Sequence, residues 1–218
     1  MKINPFVMFY LFVACAVEAP HEDSVESTDG VLVNQVGYQT SWSDASSEGP
    51  WTITTDMDYA VTVEHAYMVH YAVQLIPCPE TTGLNLFGSL IQSAYAGHSG
   101  EDDISVTPVP VIEELTPREK TNLGTVSFTP TRYCQLHYLV GRADESSEGL
   151  PENIDMIGSS ILVQGHWTKN DTGQSGTFDL STHLPHGIIL DLPANTPSGE
   201  ISLLLSRPSA TLFDQVDF

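Results

Sequence analysis

Tyr59-Ala-Val-Thr-Val-Glu-His65-Ala-Tyr-Met68-Val-His70-Tyr-Ala-Val-Gln-Leu-Ile76 decides the fold. Its odd positions carry Tyr59, Val61, Val63, His65, Tyr67, Val69, Tyr71, Val73 and Leu75, whereas its even positions mix Ala, Thr, Glu64, Met68, His70, Gln74 and Ile76. A repeat of two with one large apolar side is the mark of a strand half buried against a core. The run is longer than an ordinary strand, so it predicts a break or bulge near His65 and Ala66.

Working outward, Trp51 to Thr55 is β-rich and Asp56-Met57-Asp58 offers a turn. Val31 to Tyr38 alternates weakly and can supply a first strand, and Val106 to Leu115, with Pro108 and Pro110, can only be an edge strand or an extended linker. Val126 to Phe128 and Tyr133 to Val140 read as strands, with Cys134, Leu136, Tyr138 and Val140 on one face of the second and His137 on the other. Further strands are expected over 160–168, 176–181, 188–192 and 201–205, the first two joined by a turn at Asn170-Asp-Thr-Gly173. Residues 83–96 form the best candidate for a short helical insertion. The expectation is an all-β protein, a β-sandwich of about eight strands with that insertion and one disulfide.

The amino end has a charged start, Lys2, and an apolar run from Phe6 to Ala14 that is too short to cross a bilayer as a helix. It reads as a secretory leader over residues 1–15, followed by a flexible acidic tether over 16–30 and a single domain over 31–218. Leu11-Phe12-Val13-Ala14-Cys15 resembles the lipobox of bacterial lipoproteins, with Phe12 in place of the usual leucine, and marks Cys15 for lipidation. A cut after Ala16, using Ala14-x-Ala16, is the alternative. Either way only Cys78 and Cys134 stay in the body, and two cysteines in an exported domain are most simply a disulfide. Closing a loop of about 57 residues would stabilise the fold by about 4 kcal/mol on the chain-entropy argument.

Acidic residues outnumber basic ones 28 to 7, giving a formal net charge of −21. Nucleic acid is therefore not an expected partner, because phosphate recognition needs basic patches that so few Lys and Arg cannot build. Anionic lipid surfaces are disfavoured for the same reason, which leaves a lipid anchor at Cys15 as the route to a membrane. No G-x-S-x-G, H-E-x-x-H or P-loop is present, so the chain is expected not to be an enzyme. Acidic runs at Glu101-Asp102-Asp103 and from Asp144 to Glu152 lack the EF-hand pattern and read as solvated loops.

Eight histidines stand out against so few other basic residues. Met68-x-His70 on a strand points a thioether and an imidazole the same way, a donor pair suited to copper. The plainer alternative is that both pack beneath the insertion. His98, between Gly97 and Ser99, is an accessible candidate ligand in a hydrophilic loop, and His137 could meet His70 across the sheet.

The leader, the strand ending Leu75-Ile-Pro-Cys78 and the later Arg132-Tyr-Cys134-Gln-Leu-His-Tyr-Leu-Val-Gly141 resemble predicted lipoproteins of myxobacteria and their relatives over about residues 50 to 145. More distantly, Tyr133 to Gly141 is similar to a strand of MbnP-like periplasmic proteins associated with methanobactin and copper. The distant resemblance implies a β-sandwich with an external copper site that sometimes uses an oxidised tryptophan two residues before a histidine. Trp42, Trp51 and Trp167 all lack a histidine at that spacing, so that ligand is not carried over. The nearer one supports His98 as a ligand position. The resulting expectation is a non-enzymatic, lipid-anchored, copper-binding protein of the periplasm or outer membrane of a Gram-negative bacterium, with His98, His70, Met68 and His137 as ligands. The rival is a cell-surface structural or recognition module for glycan or protein, which an exposed cluster of Tyr38, Trp42, Trp51 and Trp167 would favour.

Overall fold

The computed structural model describes residues 14–18, 34–42, 51–79, 106–107, 109–117, 119–208 and 212–218. Eleven strands run through them: β1 (Ala14–Glu18), β2 (Gln35–Trp42), β3 (Trp51–Thr54), β4 (Tyr59–Pro77), β5 (Val111–Glu114), β6 (Thr121–Ser127), β7 (Tyr133–Val140), β8 (Ile161–Lys169), β9 (Ser175–Thr182), β10 (His186–Asn195) and β11 (Glu200–Arg207). No helix occurs among the described residues, and the 83–96 stretch expected to carry one lies outside them. The chain is all-β and sandwich-like. One sheet has the order β1-β11-β2-β6, in which β11 and β2 are parallel; the other runs β10-β7-β4-β8-β9, with β3 and β5 also paired to β4.

Each sheet turns one face inward because its strands alternate. In β2 that face is Val36, Tyr38, Thr40 and Trp42; in β11 it is Leu203, Leu205 and Arg207. These meet Val61, Val63, Met68, Val73, Leu136 and Tyr138 of the larger sheet in one continuous core. Trp42 and Trp51 stack edge-on at 5.9 Å inside it. The C-terminal residues close one end, where Phe218 packs on Tyr59 and Phe178.

β4 is the spine of the larger sheet, and two irregularities set its phase. Against β8 the register slips between Val63 and His65; against β7 it slips between His70 and Ala72. Before the first slip, Tyr59, Val61 and Val63 face the core; between the slips, Ala66, Met68 and His70 do; after the second, Val73 and Leu75 do. An extra residue exchanges the two faces of a strand, as a bulge must. Tyr67 and Val69 are thereby turned to the opposite face, where they join Ile112, Ala143, Met156 and Leu162 in a second, smaller core.

Cys78 and Cys134 are bonded, with Cα atoms 4.8 Å apart. The bridge joins Cys78, the residue after the end of β4, to Cys134 near the start of β7, which sits in the register shift between the pairs Ile76–Gln135 and Pro77–Tyr133.

Candidate functional site

The first bulge creates two polar constellations, one on each face of the sheet. On the inner face, His70 Nδ1 lies 2.7 Å from the Tyr138 hydroxyl and Nε2 lies 2.6 Å from Glu113 Oε2. Glu113, on β5, accepts two hydrogen bonds of 2.7 Å from the guanidinium of Arg207 on β11. The network therefore crosses from one sheet to the other. Met68 Sδ sits 3.5 Å from the Tyr138 hydroxyl, and Arg207 lies over the Trp42 ring at 4.9 Å. His70, Glu113, Tyr138 and Arg207 are each 2% exposed or less.

Charges at such depth persist only when paired. Burial alone would raise the Glu113 carboxyl, but the Arg207 guanidinium and the His70 hydrogen bond overcome it and hold the group well below the usual carboxylate range. Burial pushes the His70 imidazole down, more strongly than Glu113 lifts it. Arg207 is thus the cation of the pair, and His70 is neutral. Because a carboxylate only accepts, His70 carries its proton on Nε2 and accepts from Tyr138 at Nδ1. Burial raises the Tyr138 phenol far above its ordinary value, which keeps it protonated as that donor. The result is a buried relay in which both imidazole nitrogens of His70 and both carboxylate oxygens of Glu113 are engaged.

On the outer face, residues 141–160 connect β7 to β8 without strand or helix and fold back over the sheet. Ala143 and Met156 bury against Tyr67, Val69, Ile112 and Leu162. The connection is pinned by Ile112 N–H donating to Glu148 O (2.8 Å) and Glu148 N–H donating to Pro110 O (2.9 Å). Within it, Asp144 Oδ1 accepts from the Ser146 amide and hydroxyl at 2.8 and 2.6 Å, and these bonds hold its carboxyl below the ordinary value. A long connection that is ordered by its own small core is a frequent carrier of function.

Where this connection meets the sheet it leaves an open groove of about 670 Å³. The strands supply His65, Tyr67, Ile112, Glu114 and Gln164; the connection supplies Glu152, Asn153 and Ile154. Tyr67 stands opposite Glu114 in the ladder, and His65 stands opposite Gln164. Tyr67 is 8% exposed, and burial, aided by Glu114, raises its phenol.

Of the residues singled out by sequence, Met68 and His70 do share one face and flank the same hydroxyl, but both imidazole nitrogens of His70 are taken. His137 is half-buried on the other side of β7 from Tyr138, with Nε2 beside Gly187, and does not meet His70. His98 lies outside the described residues. Among the described residues no group of three or more His, Cys, Asp or Glu side chains is arranged to hold a metal ion. Nothing is described of the Cys15 side chain, although its backbone pairs with Leu205. Tyr38, Trp42 and Trp51 are buried and Trp167 is half-buried, so these four do not form an exposed aromatic surface.

Glu113 and Arg207 escaped the sequence reading. Their signal was present: Arg207 continues the inward series Leu203, Leu205 on a chain with only seven Lys and Arg, and Glu113 interrupts the apolar Val111-Ile112. Comparison with family models, with curated proteins and with solved structures returns no match.

Proposed function

We propose that the chain is an exported, lipid-anchored and non-enzymatic recognition module that binds a glycan or protein ligand in the groove under residues 149–154. The observation that carries this reading is the groove itself: polar side chains converge there on an apolar floor, which is how ligand sites are built. By contrast, both ring nitrogens of His70 and both oxygens of Glu113 are engaged inside the buried relay. Export is supported by the leader-like start and by the Cys78–Cys134 bond, which suits an oxidising compartment.

Amide chemical-shift mapping with a panel of soluble oligosaccharides and peptides tests the proposal. Shifts confined to 65–67, 112–114 and 149–154 are expected from at least one member. A panel in which no member moves those amides sinks the reading.

Copper binding is a second reading, favoured by Met68 and His70 flanking one hydroxyl. A metal there would need a His70 nitrogen released from Glu113 or Tyr138. Dialysis against Cu(I) and Cu(II), with His70→Ala and His98→Ala as controls, tests it; binding no tighter than to an acidic control protein ends it.

A further inference from the structure

We propose that the groove takes an arginine side chain of a protein partner, an inference that rests on the recognition reading and names its ligand. Glu114 on the strand wall and Glu152 on the connection wall are both exposed, and neither has an ion-pair partner among the described residues. No Lys or Arg lines the groove. Tyr67 is more than nine-tenths buried, lines the groove, and its hydroxyl has no hydrogen-bond partner among the described residues. The Gln164 amide already donates to Asp179 at 3.0 Å, leaving its carbonyl as an acceptor.

Acceptors therefore outnumber donors on these walls, and a fitting ligand must bring donors and positive charge. A guanidinium has five donors, no acceptor, and a fork that matches carboxylates. Its aliphatic stem would lie along Ile112 and Ile154. The chain holds few cations of its own, and Arg207 is already committed in the core. Among the described residues no cation supplies the missing charge, which is assigned here to another molecule.

The test is calorimetry and amide mapping of the intact mature protein at physiological salt with the capped peptide Gly-Gly-Arg-Gly-Gly and its citrulline counterpart, which keeps the shape and loses the charge. The arginine peptide should move the amides of Tyr67, Glu114 and Asn153 and bind about tenfold or more tighter than the citrulline peptide. Glu114→Gln and Glu152→Gln should each weaken it about tenfold, and Tyr67→Phe, which removes only the hydroxyl, should lose part of the affinity. Asp191→Asn and Glu200→Gln, outside the groove, should leave binding unchanged; equal losses there would mean mere attraction to an acidic surface and overturn the proposal. Equal affinity for the two peptides overturns it as well. If an oligosaccharide or neutral peptide moves the groove amides and the arginine peptide does not, the inference fails alone. If nothing moves them, the recognition reading fails with it.

Discussion

Glu113 and Arg207 face each other across the sandwich in a two-pronged pair, each prong 2.7 Å, so that one carboxylate on β5 and one guanidinium on β11 tie the two sheets through their core. The two residues are 94 positions apart, and each is 2% exposed. An ion pair at this depth need not make the fold more stable than a greasy pair of equal size would. Breaking it is another matter, because the survivor is left charged and dry.

Arg207→Met should therefore destabilise the protein by about 3–5 kcal/mol, read from urea denaturation at pH 8. Glu113→Leu with Arg207→Met should cost far less than the sum of the single changes, since no charge is stranded. Additive losses in that cycle would show that the two side chains do not act as a pair. In Arg207→Met alone, His70 becomes the remaining cation for Glu113, so part of the loss should return as pH falls toward 6.

The relay also gives the wild type a defined acid response. His70 is depressed in the folded state from an ordinary value of 6.5, so the unfolded chain takes up a proton there first. Stability contributed by the neutral imidazole is complete above that value and declines as pH drops through the lower folded one, with a limiting slope of about 1.4 kcal/mol per pH unit. Glu113 adds to the decline below its ordinary 4.5, again because the folded form resists protonation. The surface charge of −21 pulls the other way, since acid relieves self-repulsion. The difference between wild type and His70→Gln cancels that background. Measured by denaturant titration between pH 7.5 and 5, the gap in favour of wild type should shrink as pH falls. A gap independent of pH would mean that His70 is not held neutral.

How much of this could be read in the chain depends on how local each feature is. In Tyr133–Val140 the residues Leu136, Tyr138 and Val140 take the core face that alternation predicts, whereas a register shift at its start turns Tyr133 inward as well. The long β4 carries its first bulge at Glu64, one or two residues from the expected break at His65 and Ala66. The sulfur bridge follows from two cysteines alone. The second slip, at Tyr71, left no mark in the hydrophobic pattern, because Tyr71 and Ala72 are both tolerable on either face. The two slips together have a large consequence: the first turns the minor-looking face with Met68 and His70 into the core, and the second turns it out again. The contacts of Glu113 and Arg207 depend on strands from different sheets, and no periodicity within either strand encodes that meeting. The groove was illegible for a similar reason, since it forms only when the 141–160 connection folds back on β4 and β5.

The disulfide fastens two strands that are already paired, and its contribution should come mainly from the chain it closes. Reduction, or the double change Cys78→Ala and Cys134→Ala, should lower the unfolding free energy by about 2–5 kcal/mol without changing the far-ultraviolet signature of the sheets. Thiol titration of the native protein should find neither cysteine free. Two free thiols before denaturation would remove the bridge from the account.

Gly149 is where the groove can be disturbed without touching its chemistry. Its backbone is in the left-handed region, φ 81°, and an added Cβ would sit 2.7 Å from the Ile112 carbonyl oxygen. The adjoining residue, Glu148, holds the connection to β5 through the Ile112 amide and the Pro110 carbonyl. Gly149→Ala must therefore strain the backbone, at a cost of about 1–2 kcal/mol, and push the connection off the strand. Hydrogen exchange should report this directly: the amides of Ile112, Glu148 and Ala143 should lose protection, while those of Tyr138 and Leu205 in the main core keep theirs. Uniform loss across both sets would mean that the satellite core is not a separate unit. Gly173→Ala serves as the comparison, since its φ of 70° imposes the same backbone cost with open space around the new methyl. It should lower stability by a similar amount and leave the exchange of Ile112 and Glu148 untouched.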